Sequence, residues 1–356
     1  MQLRAATLPQ SYENLIRAAL KKRGYSLDEP ARLADAVLKL SDFYLENPSA
    51  QTPWDEAWAQ VASLVYFFPL NYSRNALVAR ECERLGFFDG ISSAVDDGAG
   101  MGSAVHAFKD RLPSIDWLAR DISEESLRLL NELSENAIKT DLVSGSVRSR
   151  SGRELLVASY VFTELKDIPR EWLDYEALII IEPSTREDAR RLQAERPRLI
   201  EAGFSLWAPC PHQEGCPLLV SERDWCHDRV HFQAPAWFSS IEKLLPIKNR
   251  TLSFSYLAAR KTPSPLSQLT GESQIARLVG DTLDEKGKSR QSLCRSSERE
   301  FLAWFPQRFK TKTDLEMSRG SLVRLAPGLE KKQQEVRLKE PDQVVELGTD
   351  ERITHR

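Results

Sequence analysis

The chain has 356 residues, 41% hydrophobic and 28% charged, and its 49 basic against 52 acidic side chains leave a net charge of −3. This is enough chain for one full core and a second domain, while the balanced charge excludes a global field drawing it onto nucleic acid and leaves such contact to local patches. No run approaches the roughly 20 apolar residues of a membrane span, so no membrane partner is expected, and the five cysteines fit a reducing compartment better than a disulfide framework.

The first residues lack the apolar core of a secretory signal, and Glu13 interrupts an otherwise weak basic presequence. A cytoplasmic monomer is the expectation, with the mitochondrial matrix as the alternative location. Residues 1–88 read as a helical region, because Leu15, Ala19, Leu20, Leu33, Val37, Leu40, Ala57, Val61 and Val65 recur near the helical period. Asn71, Tyr72 and Ser73 are placed to cap a further helix that ends at Gly86, with Cys82 a buried thiol on its apolar face.

From residue 91 the pattern changes. Residues 91–96, 115–120, 155–160 and 177–181 predict strands, with helices at 123–136 and 186–202. That alternation predicts a parallel sheet with crossover helices over 89–206. A Cys-rich loop fills 207–232. Short strands at 252–259, 275–279, 292–294, 301–304 and 322–325 predict the rest of the fold and a small basic β-barrel-like unit within 233–327. Residues 328–356 are charged and lack aromatics, which predicts a flexible tail.

The run Asp96-Asp97-Gly98-Ala99-Gly100-Met101-Gly102 lies between a predicted strand and a helix start. Glycine serves where the backbone takes positive φ or must lie against a ligand. The G-x-G-x-G spacing differs from the G-x-G-x-x-G of dinucleotide folds, and no Lys-Ser/Thr follows as a phosphate loop requires. Asp121, at the end of the next predicted strand, stands about 20 residues on, where an acid accepts both ribose hydroxyls. Together these resemble the S-adenosylmethionine-dependent methyltransferases. They predict an α/β Rossmann-like fold that holds that cofactor on Asp96, Gly98, Gly100, Gly102 and Asp121. Tyr160 and Glu164, after the fourth strand of the pattern, are catalytic candidates; a packing tyrosine and a helix cap are the plainer readings. No Asn/Asp-Pro-Pro-Tyr/Phe tetrapeptide is present, no cysteine stands as a cytosine-attacking nucleophile, and no acid is evident in 143–150 as an adenine partner.

Cys210, Cys216 and Cys226 cluster in a polar loop, and Cys294 returns later. Clustered thiols suit a soft metal. The intervals are longer than the paired knuckles of zinc ribbons and the compact runs of ferredoxins. A four-iron cluster and a tetrahedral zinc both remain compatible, and His212, His227 and His231 keep a Cys3His zinc open.

The segments Ala208-Pro209-Cys210-Pro211-His212, Cys216-Pro217-Leu218, Asp224-Trp225-Cys226-His227, Phe254-Ser255-Tyr256-Leu257 and Leu293-Cys294, with Tyr66-Phe67-Phe68-Pro69 and Asn71-Tyr72-Ser73 upstream, resemble the methyltransferase-like assembly factors of the mitochondrial small ribosomal subunit and their bacterial relatives. The resemblance covers roughly residues 60–305. It implies a methyltransferase-type domain, a [4Fe-4S] cluster on Cys210, Cys216, Cys226 and Cys294, and contact with small-subunit rRNA. Asp228 and Ser184 depart from the family pattern, which puts packing beside the cluster and the substrate side of the pocket in question.

Between residues 286 and 312 eight cations face two acids, interleaved with Phe301, Trp304, Phe305 and Phe309. Lys286, Lys288, Arg290, Arg295, Arg308 and Lys310 are the RNA-binding candidates, since cations give phosphate contact and aromatic faces stack unpaired bases. The plainer reading makes the aromatics core and the charges a solvated face. The function expected is rRNA methylation or assembly of the small ribosomal subunit. A non-catalytic assembly factor is the first alternative, and a small-molecule methyltransferase with structural zinc the second.

Overall fold

A computed structural model describes residues 4–47, 50–143, 154–266, 275–311, 315–348 and 352–353. The chain opens with β1 (Ala5–Thr7), α1 (Gln10–Lys22), α2 (Pro30–Glu46), α3 (Ala57–Ala62), a π-helical turn at Ser63–Phe67, and α4 (Phe68–Arg84). Alternating elements follow: β2 (Ser93–Asp97), α5 (Ser103–Arg111), β3 (Asp116–Asp121), α6 (Glu124–Glu132), β4 (Lys139–Leu142), β5 (Leu155–Ser159), β6 (Ala177–Glu182), α7 (Arg186–Ala194), α8 (Arg196–Glu201), β7 (Ser205–Ala208), β8 (Asp228–Gln233), α9 (Ala236–Glu242) and β9 (Thr251–Arg260).

Local chemistry explains the boundaries. Tyr12, Ile16, Ala19 and Leu20 give α1 its buried stripe. Ser123 caps α6 by accepting from the Ser126 N–H, and Thr185 caps α7 by accepting from the Asp188 N–H. All six residues of β6 are buried, as expected of an apolar run inside a sheet covered on both faces.

These strands form a nine-stranded sheet in the order β1-β8-β9-β6-β5-β2-β3-β4, with β7 also pairing β9. The block β4-β3-β2-β5-β6 is parallel, and β9 runs antiparallel to β6. The chain moves outward from β2 in both directions, so the crevice between β2 and β5 is the switch point, where open α/β sheets bind ligands beyond their carboxyl ends. The strand predicted at 252–259 is therefore β9 of this sheet and no part of a terminal unit. The strand β1, lying in a region expected to be all helix, is too short to carry a periodic signal.

The second sheet has eight strands: β10 (Ile275–Leu278), β11 (Leu283–Glu285), β12 (Lys288–Cys294), β13 (Glu300–Trp304), β14 (Leu322–Leu325), β15 (Glu330–Lys332), β16 (Glu335–Arg337) and β17 (Val344–Glu346). Its order is β15-β16-β13-β12-β10-β14-β17, with β11 on β12, an open path rather than a closed barrel among the described residues. The flexible tail expected from residue 328 is corrected here. Three of these strands lie in it, Val336, Leu338 and Val344 join the sheet's own core, and the Ile353 N–H donates to the Arg84 carbonyl. Among the described residues no helix is long and apolar enough to cross a membrane.

A buried ionic network joins the sheets. Arg277 of β10 donates to Glu81 of α4 and to the carbonyls of Pro209 and Gly320. Glu81 also holds Arg84 at 3.1 Å, and Arg4 pairs with Asp228. Burial pushes the Glu81 carboxyl up, but Arg277, Arg84 and Arg4 outweigh it and hold it at about 2. The departure at Asp228 is thus a buried carboxylate with its own cation, where loosened packing was expected.

Candidate functional site

The glycine turn lies at the switch point. Gly98, Gly100 and Gly102 all take positive φ, but for different reasons. A Cβ at Gly98 would come within 2.5 Å of Val161, and one at Gly102 within 2.6 Å of Leu130, so close packing demands glycine there. At Gly100 the nearest neighbour of such an atom is the Trp54 ring at 3.8 Å, which leaves space beside the backbone. Asp121, at the end of β3, accepts from the Gly100 N–H at 2.7 Å and the Ser123 N–H at 2.9 Å. Its carboxylate is only partly buried and stands beside the turn. This arrangement suits a hydroxyl-bearing ligand lying over Gly100.

Asp96 stands elsewhere than expected. It is 1% exposed and accepts from the Val105 N–H at 2.9 Å, so it braces the start of α5 beneath the turn. Asp97 escaped notice in the sequence although the doubled acid was a signal. It accepts from the Trp172 indole N–H at 3.0 Å. Glu182, at the end of β6, accepts from the Phe162 and Thr163 N–H groups and so fixes the loop after β5. In that loop Tyr160 takes φ 64°, a strained setting for a bulky residue. Tyr160 is half-buried, with the Arg74 guanidinium 6.0 Å from its ring centre. Burial, then the nearby Asp121, raise the Glu164 pKa. Asp121 and the Tyr160–Val161 step therefore flank the turn. Strand β4 ends at Leu142, and residues 144–153, which include most of the stretch searched for an adenine partner, lie outside the described residues.

Burial raises Asp96 to about 7, Asp97 to about 6 and Glu182 to about 8. Each folded value exceeds the unfolded one near 4, so the protonated group favours the folded state. That contribution is complete below about pH 4 and is lost as pH rises through 6 to 8. The thermal midpoint is expected to fall between about pH 5 and pH 8.5, and Glu182→Gln to flatten that fall; an unchanged slope in the variant counts against the assignment.

The four candidate thiols converge. Cys210, Cys216, Cys226 and Cys294 line one cavity with His212, Arg196 and Leu218. Three come from the loop between β7 and β8, and Cys294 ends β12 of the other sheet. Arg190 of α7 shapes that loop by donating to the carbonyls of Leu218, Leu219, Ser221 and Asp224. The Cys294 thiol lies 3.4 Å from His212 Nε2, and buried Arg196, which donates to the His212 and Glu214 carbonyls, lines the same cavity. Burial, then the neighbouring thiols, push Cys216, Cys226 and Cys294 up. Among the described residues no three His, Cys, Asp or Glu side chains form a group that could hold a metal ion. Thiols and an imidazole around one cavity are the donor types that zinc and iron–sulfur centres share. His227 and His231 stand away from it, His227 against Arg319 and His231 paired with Thr251.

The RNA-binding candidates fare differently. Trp304 and Phe309, 1% and 5% exposed, fill the second sheet's core, and Phe301, 6% exposed, is covered by the guanidiniums of Arg290 and Arg299, so none of the three is open to stack bases. Half-buried Phe305 is covered by Arg308 and Arg337. Lys288 pairs with Glu285 and Glu335, Arg290 with Glu285, and Arg295 with Glu300. Lys286, Arg308 and Lys310 are exposed, with no carboxylate ion pair among the described residues.

Compared with known families, the mitochondrial small ribosomal subunit family Rsm22 matches residues 84–314. No curated protein matches. Solved structures are similar over part of the chain. A proposed RNA methyltransferase of Pyrococcus horikoshii is 14% identical, covering 54% of this chain and 81% of its own, with TM-score 0.35. TrmK of M. capricolum, bound to S-adenosyl-homocysteine, is 9% identical over 52% and 69%, with TM-score 0.30. The ribosomal protein L11 methylase of Lactobacillus delbrueckii subsp. bulgaricus is 17% identical over 54% and 79%, with TM-score 0.31. These likenesses are distant.

Proposed function

Because the chain belongs to the Rsm22 family of the mitochondrial small ribosomal subunit, we propose that it binds S-adenosylmethionine in the crevice between β2 and β5 and methylates small-subunit rRNA. The observation that carries this reading is Asp121 beside the open backbone of Gly100, at the sheet's switch point. Asp121 would accept the ribose hydroxyls and the glycine turn would carry the amino-acid end, with Tyr160 and Glu164 at the mouth where substrate enters. When bound, the cofactor supplies a transferable methyl group; the protein's part is to align it with the nucleophile. We further propose a [4Fe-4S] cluster on Cys210, Cys216, Cys226 and Cys294, supported by the shared cavity. Lys286, Arg308 and Lys310 are the cations left for phosphate contact.

A second reading, a non-catalytic assembly factor, is favoured by the turn after β5, where Ser159-Tyr160-Val161-Phe162 stands instead of an Asn/Asp-Pro-Pro-Tyr/Phe tetrapeptide. Asp121→Ala separates the two. The enzyme is expected to lose one methyl mark, read by mass mapping of the small-subunit rRNA, while still binding subunits. An rRNA identical with and without the gene would leave only the scaffold.

A further inference from the structure

On the near side of the cofactor crevice stands a cation without a counter-ion. Arg74 is in the second turn of α4, half-buried, and its Nη1 donates to Asn71 Oδ1 at 2.7 Å. Its Nε is buried with no hydrogen-bond partner, and among the described residues no carboxylate pairs with it. Buried donors are rarely left unpaired, and an orphaned guanidinium costs more than an orphaned amide. The guanidinium lies over Tyr160, whose positive φ turns the chain just past β5. Val161, the next residue, packs against Gly98 of the glycine turn. Arg74 is thus placed at the β2–β5 end of the crevice, whereas Asp121 marks the β3 end. Beside the turn the acid left for a ligand is Asp121, since Asp96, Asp97 and Glu182 already accept hydrogen bonds from Val105, Trp172, and Phe162 with Thr163.

We propose that Arg74 binds the α-carboxylate of the cofactor's amino-acid end, through Nε and one Nη as a fork. This rests on the reading that the crevice holds S-adenosylmethionine. The chemistry matches at both ends. An amino acid offers one anion, which needs a guanidinium, while the ribose hydroxyls are served by an acid. A planar fork pairs with a carboxylate through two parallel hydrogen bonds. The π-helical turn at Ser63–Phe67, a device frequent at functional sites, sits immediately before α4.

The test is calorimetry with S-adenosylhomocysteine and with 5′-methylthioadenosine, which keeps the nucleoside but lacks the amino acid. Wild type is expected to prefer S-adenosylhomocysteine by about tenfold or more. Arg74→Gln should erase most of that preference, leaving 5′-methylthioadenosine within about twofold, and Arg74→Lys should retain part of it. An unchanged preference in Arg74→Gln overturns the assignment. So does a loss confined to binding of a single-stranded oligoribonucleotide, which would make Arg74 an RNA-phosphate contact. Should Arg74→Gln fail to fold, phenylglyoxal labelling of the wild-type protein decides: S-adenosylhomocysteine must protect Arg74 and 5′-methylthioadenosine must not. If wild type binds neither adenosyl ligand, the cofactor reading itself falls and this inference with it. If both bind equally in wild type and variant, only the inference falls.

Discussion

Arg277→Ala is expected to destabilise the protein by about 3–5 kcal/mol, the cost of stranding a buried charge once its partner is gone. Arg277 is 1% exposed and joins Glu81 to two main-chain carbonyls from different parts of the chain. Without it, Glu81 keeps Arg84 and Arg4 nearby but loses its closest cation. The measurement is chemical denaturation followed by tryptophan fluorescence. A near-neutral Arg277→Ala would mean that water reaches the network.

Cys294→Ser is expected to abolish the proposed cluster and loosen the junction between the sheets. The wild-type protein, purified without oxygen, should be brown and carry about four iron and four sulfide per chain, the stoichiometry of a four-thiolate cubane. The variant should retain little of either, and its second sheet should become the more protease-sensitive, since metal binding couples to folding. Stoichiometric zinc without iron in the wild type would sink the cluster. The variant reports on the junction because Cys294 is the one thiol of the four contributed by the second sheet.

Much of the first sheet was legible because its strands are short apolar runs with a turn residue or acid at each end. The run 177–181 became β6, one residue longer, and the run 155–160 became β5 without Tyr160. Tyr160 left the strand because its backbone turns to positive φ, which no local pattern announces. The convergence of the thiols was suggested by clustering in a polar loop. Strands β15 and β17 were illegible: β15 is fully exposed and reads Glu-Lys-Lys, a charged edge of the kind that protects a sheet from pairing with another. Arg277 was illegible for the opposite reason. A lone arginine in Ile275-Ala276-Arg277-Leu278 looks like a solvent-facing position, and its partners are 68 and 196 residues away. The aromatics of 301–309 misled because alternating cations and rings describe both a stacking surface and a core strand. Trp304 and Phe309 belong to the core, whereas Phe301 is buried on the other face of β13 under Arg290 and Arg299.

The contacts of Arg4 have a kinetic meaning. This residue rests on Asp228 and on the Arg319 carbonyl, 224 and 315 positions downstream. Closing such long loops is slow, and little of the reward arrives before both ends exist. During synthesis β1 must therefore wait, unpaired, until β8 has been made. In that interval its open edge is exposed to the wrong partners, which is what a chaperone prevents.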